Sequence, residues 1–166
     1  MNPKSRGTYV LLVELGQEAV ITVGQLGTFC FPAGYYVYVG SALGSGGLAA
    51  RLARHRRRDK KLRWHIDYFL AHARILDIRT DDSGKRLECA WVCAMLSTPG
   101  AQVVAPRFGA SDCSCPSHLV YFGDTGLDLQ SAAQTCETMS PVVSTKPLAQ
   151  VWRLMHGAVN ERYARR

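Results

Sequence analysis

No apolar run in these 166 residues approaches the roughly 18 needed to cross a bilayer, and no lipidation signal is present. Neither an internal repeat nor a second domain can be read from the chain. Acidic side chains are outnumbered, 13 against 20 basic ones, for a formal charge of +7. These shortages argue against a membrane partner and for an acidic one. The opening MNPKSRGTYV runs into Glu14 and Gly16, which reads as the first strand of a domain rather than an export signal. Without export, six cysteines imply reduced thiols and a cytoplasmic location. Cys30, Cys89 and Cys93 lie in apolar settings and are expected to be small buried hydrophobes.

What the chain does have is concentrated between Tyr35 and Leu70. An aromatic, β-branched run (Tyr35 to Val39) meets the glycines Gly40, Gly44, Gly46 and Gly47, which permit a tight turn. Helical spacing then places Leu48, Arg51, Leu52 and His55 on one face. Eight Lys or Arg residues fall between Arg51 and Arg63 against the single acid Asp59. Beside a strand end, so dense a run reads as a phosphate-backbone site, with Arg54, Arg56, Arg57, Arg58, Lys60, Lys61 and Arg63 as its contacts.

Taken in order, Gly7 to Leu15 and Ala19 to Val23 are strands close enough to form a hairpin. Gly24 to Pro32 is irregular. The strands starting near Thr8, Ala19 and Tyr35 are expected to share one sheet. Helices are expected over Gly47 to Arg57, Leu62 to Ala71 and Leu87 to Leu96, with strands at Ile75 to Thr80, Val103-Val104 and His118 to Phe122. This is an α/β (α+β) domain over 1–123, its central, mainly antiparallel sheet flanked by helices. The remainder, 124–166, is an extension: a Ser/Thr-rich linker, Ser131 to Lys146, and an amphipathic helix, Leu148 to Tyr163.

Several residues could carry chemistry. Tyr9 and Tyr38 lie on strands of the sheet. Arg51 sits on the inner spacing of its helix, which is costly unless it finds an anion or carboxylate. Glu88 is the one acid in the apolar RLECAWVCAML, either a carboxylate favoured by the helix dipole or a metal ligand facing the cleft. Cys113, Cys115 and His118 are the right types for zinc. Their spacing is tight and a fourth donor is missing, unless Cys89 or Cys93 supplies it. Local hydrogen bonding of Asp112 and His118 is the favoured reading there.

Gly7-Thr8-Tyr9 and Tyr38-Val39-Gly40, followed by the helix of Arg51, resemble the two tripeptides and the arginine of the GIY-YIG nuclease superfamily. The resemblance is closest to its uncharacterised branch, domain of unknown function 123. It rests on GTYVLLVEL, LGTFCFPAGYYVYVGSA, GLAARLARHRRRDKKLRWHIDYFL, LECA and FGASDCSCPSHLVYF, roughly Gly7 to Phe122. It implies that Tyr9 and Tyr38 activate water, Arg51 stabilises the transferring phosphate, and Glu88 holds Mg²⁺ or Mn²⁺. His55 could join that cleft in proton transfer or as a phosphate ligand. The two tripeptides lie further apart than in the best-studied members, and the expectation from the sequence is of no separate recognition domain.

The leading expectation is therefore a divalent-metal-dependent endonuclease hydrolysing DNA, with repair as its candidate setting and a protein partner supplying recognition. The alternative is a noncatalytic nucleic-acid-binding module that retains the nuclease fold. Structural zinc is the lesser expectation beside Mg²⁺.

Overall fold

The computed structural model describes residues 5–123, so the expected linker and amphipathic helix of 124–166 lie outside the described residues. Val- and Tyr-rich segments, which suit a pleated and packed surface, form the two long strands: β1 at Gly7–Leu15 and β4 at Gly34–Ala42. Shorter strands are β2 (Ala19–Thr22), β3 (Thr28–Phe31), β5 (Arg74–Asp81) and β6 (Leu119–Tyr121). Three helices complete the set: α1 (Gly47–Arg56), α2 (His65–Leu70) and α3 (Glu88–Leu96). The result is a small α+β domain with a central antiparallel sheet, ordered β5-β1-β4-β6, and flanking helices.

One expectation about this sheet is corrected. Strand β2 pairs with β3, not with β1, and the two make a separate antiparallel ribbon. A tight turn explains it: the Val23 N–H donates to the Gly27 carbonyl at 2.8 Å and that of Leu26 to the Val23 carbonyl at 2.9 Å. This turn gives β2 a partner immediately downstream, in the stretch expected to be irregular, and leaves both edges of β1 free for β4 and β5. Tyr9 and Tyr38 still share the main sheet. Around Val103 there is no strand, only an isolated bridge between Gln102 and Tyr121.

Strict alternation divides the sheet into two covered faces. Tyr9, Leu11, Val13, Tyr36 and Tyr38 pack on one side with Leu48 and Leu52 of α1 and Ile66 and Phe69 of α2. Val10, Leu12, Val37 and Val39 pack on the other with Trp91, Val92 and Met95 of α3. Among the described residues no helix is long and apolar enough to cross a membrane.

The basic segment is held by one acid. The Asp67 side chain is fully buried and pairs with Arg54 at 2.6 Å and Lys60 at 3.2 Å. Its Oδ2 also accepts the backbone N–H of Arg63 at 3.0 Å and of Trp64 at 3.1 Å. The Lys60 ammonium goes on to the carbonyls of Arg54 and His55, each at 3.2 Å, at the C-terminal end of α1 where a cation is favoured. Burial alone would raise the Asp67 carboxyl. The Trp64 and Arg63 N–H groups, with Lys60 and Arg54, overcome it and hold the group below the usual carboxylate range. Replacing Asp67 by Asn leaves two cations and a buried site uncompensated, and should cost about 3–5 kcal/mol in chemical denaturation near neutral pH. Because the folded-state value is depressed, that contribution is complete above the unfolded carboxyl's pKa and disappears as pH falls through the folded one. A variant as stable as the wild type at pH 7 would show that Asp67 does not organise this segment.

Candidate functional site

The phenol of Tyr9 lies on the helix-covered face of the sheet, where its Oη shares a 2.7 Å hydrogen bond with Nε2 of the buried His55 on α1. The Tyr9 ring centroid is 6.4 Å from that of Tyr38 and 5.3 Å from that of His55. Desolvation, with the neighbouring Tyr38, raises the Tyr9 phenol well above its ordinary value, and burial raises Tyr38 too. Among the smaller influences on both phenols, the Arg51 charge lowers them and the Glu88 charge raises them.

The glycines of the two tripeptides have a packing role. Gly40 stands opposite Tyr9 in the β1–β4 register. A Cβ there would lie 2.5 Å from the Tyr9 Oη and 3.1 Å from the Tyr38 ring. At Gly7 a Cβ would lie 1.8 Å from the Asp81 carbonyl oxygen of the neighbouring strand. Each glycine is thus required by close approach of a ring or a backbone.

Arg51 stacks on Trp64, its guanidinium carbon 4.0 Å from the ring centroid, and Arg54 approaches the same ring at 4.5 Å. Cation–π contact holds both arginines over the ring. With Arg57 and the glycine turn before α1 they line a cavity of about 290 Å³ that includes neither Tyr9, Tyr38 nor Glu88. The other predicted phosphate contacts divide into two groups. Arg54 and Lys60 are engaged by Asp67, whereas Arg56, Arg57, Arg58, Lys61 and Arg63 are exposed. Trp64 and Asp67 received no firm role from the sequence. The signal for Asp67 was its place as the first acid after a run of cations.

Glu88 opens α3 and is mostly buried, with Oε2 accepting from Arg86 Nε at 2.9 Å. The same guanidinium pairs with Asp112. One residue further along, Cys89 joins Cys113, Cys115 and His118 in a group whose donor atoms all lie within 4.8 Å of one another. Cys113 Sγ is 3.3 Å from His118 Nε2. This overturns the expectation of local bonding between Asp112 and His118, since Asp112 turns to Arg86. It also selects Cys89, not Cys93, as the fourth donor. Cys30, Cys89 and Cys93, expected to be buried, are all exposed. The core side of α3 is taken by Trp91, Val92 and Met95, which leaves Cys89 and Cys93 outside.

The donor set decides the metal chemistry. Three thiols and an imidazole suit a zinc-type structural site, whereas Mg²⁺ takes oxygen ligands. The expectations of Mg²⁺ or Mn²⁺ at Glu88, of zinc as the lesser candidate, and of a metal-dependent endonuclease or hydrolase are corrected accordingly. Burial and the neighbouring thiols push Cys115 up to about 12.

The chain matches the family model described as domain of unknown function DUF123 over residues 8–140, and it belongs to that family. No curated protein and no solved structure matches it.

Two outcomes follow from this site. Gly40→Ala should destabilise the domain by about 1–3 kcal/mol through overpacking against Tyr9, and Tyr9→Phe in the same chain should recover part of the loss by removing the clashing hydroxyl. Urea titration of the two single variants and the double one measures this coupling. The second outcome concerns His55, which burial, then Lys60, lowers to about 4. Its folded-state value lies below the unfolded one near 6.5, so the unfolded chain binds more protons in between. Stability should therefore fall as pH drops from about 6.5 toward 4, by at most roughly 3 kcal/mol. His55→Gln should flatten that slope, with the residual owed to His65 and His118, both also lowered by burial. An unchanged slope in the variant would assign the pH dependence elsewhere.

Proposed function

We propose that this domain is a noncatalytic nucleic-acid-binding module on a GIY-YIG-like framework, with DNA as its first candidate ligand. The observation that carries the reading is the cationic face. Arg56, Arg57, Arg58, Lys61 and Arg63 stay exposed because Asp67 is already neutralised by Arg54 and Lys60. A duplex or single strand offers a regular array of phosphates to such a face, and neutralising them releases counterions.

The GIY-YIG likeness is supported by the two tripeptides standing on hydrogen-bonded neighbouring strands, with Arg51 on the helix that covers them. The noncatalytic character is supported by the donor chemistry around α3. Glu88 is paired with Arg86, and the adjacent ligand-type cluster is sulfur-rich. The arginine-lined cavity also lies apart from the phenols. Arg51 is on this reading a phosphate clamp, and Tyr9 with His55 a buried support for α1.

Anisotropy titrations with labelled duplex and single-stranded DNA at several salt concentrations test the proposal. Alanine at Arg56, Arg57, Arg58, Lys61 and Arg63 should weaken binding while leaving thermal stability unchanged. The slope of log K against log salt should shrink by about 0.9 for each duplex phosphate contact removed. Arg54 and Lys60 are left intact, because removing them strikes the Asp67 anchor. An unchanged affinity and slope would end the nucleic-acid reading. Strand cleavage that depends on added Mg²⁺ would end the noncatalytic one.

A further inference from the structure

The loop leading into β6 is built from turns, and both backbone and side-chain hydrogen bonds cross it. His118 donates its N–H to the Phe108 carbonyl at 2.7 Å, and Arg107 donates its own to that of Pro116 at 2.6 Å. Arg107 Nη1 reaches the Cys115 carbonyl at 3.1 Å. Phe108 is fully buried against Tyr38, Phe31, Phe69 and His65. The Gly109 N–H donates to His65 Nδ1 at 3.0 Å. This loop therefore closes the core over the aromatic face of the sheet, although neither helix nor ladder fixes it between Ala105 and His118.

We propose that Cys89, Cys113, Cys115 and His118 together bind one Zn²⁺, and that this ion orders the 105–118 loop by tying it to the first turn of α3. Four donors at ordinary Zn–S and Zn–N distances stand roughly 3.6–3.8 Å apart in a tetrahedron. The observed group, with one pair at 3.3 Å and all within 4.8 Å, brackets that spacing. Cys115 and His118 are separated by two residues, a usual ligand spacing, while Cys113 and Cys115 are one residue closer than is common. Three ligands from one loop and a fourth from a helix far away in sequence make the ion a long-range crosslink, which removes most of the loop's freedom. Arg86 supports it from outside, joining Asp112 of the loop to Glu88 beside Cys89. Cys89 is exposed and Cys113 and Cys115 half-buried, so the ion is reachable from solvent and a chelator should strip it without denaturant.

This inference does not depend on what the basic face binds, and its test needs no nucleic acid. Full-length protein purified without chelator is analysed for zinc, iron and copper. About one equivalent of zinc and little else is expected. Replacing the bound metal with Co²⁺ should give the visible bands of a tetrahedral ion and a thiolate charge-transfer band. Cys89→Ser, an exposed position on α3, should lose most of the zinc, while Cys93→Ser, one turn along and outside the cluster, should keep it. Hydrogen exchange on wild type before and after chelation avoids reliance on any variant that fails to fold. Exchange should rise across 105–118 and change little in β1, and added zinc should restore protection. Zinc-free wild type, equal metal loss in both cysteine variants, or unchanged loop exchange after chelation would each overturn the proposal.

Discussion

The buried carboxylate of Asp67 is the constraint on which the shape of the cationic half depends. Eight Lys or Arg residues occur between Arg51 and Arg63, and like charges at such density repel. Asp59, the acid inside the run, is exposed and cannot offset them at short range. Asp67 can, because it is buried and holds Arg54 and Lys60 together with two backbone N–H groups. Pairing inside a low-dielectric pocket fixes the end of α1, the link and the start of α2 as one unit. It also sorts the cations: two are engaged in the fold, and Arg56, Arg57, Arg58, Lys61 and Arg63 remain exposed.

The sheet separates two kinds of chemistry by its period of two. Along β1, Tyr9 faces α1 while Val10 and Leu12 face α3; along β4, Tyr38 faces the first group and Val39 the second. Phenols, His55 and the cationic run lie on one side. The helix that contributes Cys89 covers the other, and the loop carrying the remaining sulfurs passes from one to the other by way of Phe108 and β6. The same register sets Gly40 across from Tyr9. The tripeptide pattern is therefore as much a packing code as a chemical one.

Periodicity made most of the elements legible, because β1, β4, α1 and α3 each impose a local pattern on the chain. Pairing was less so. The ribbon of β2 and β3 depends on hydrogen bonds within the Val23–Gly27 turn, and nothing in the Thr28–Phe31 composition separates a short ribbon strand from a loop. Cys113, Cys115 and His118 stood out by residue type. Their fourth partner did not, since α3 is apolar on all sides and gives no contrast by which to tell Cys89 from Cys93. Burial of Cys30, Cys89 and Cys93 was inferred from apolar neighbours in sequence, whereas exposure depends on which face of the element meets the core. Glu88 does stand in the first turn of α3, but its partner was not legible: Arg86 lies only two residues away, and a pairing across the start of a helix has no periodic signature.

Helix geometry explains why a carboxylate site and a sulfur site at α3 are different undertakings. Successive residues on an α-helix point about 100° apart, so Glu88 and Cys89 cannot direct their side chains into the same coordination sphere without unwinding the first turn. Glu88 is turned inward and paired with Arg86, while Cys89 is exposed toward the loop. A metal held by Cys89 therefore fixes the rotation of α3 and, with it, the inward position of Glu88. In that orientation the carboxylate serves the ion pair with Arg86. The exposed cations, Arg56, Arg57, Arg58, Lys61 and Arg63, lie at the end of α1 and in the link beyond it, away from this ion pair.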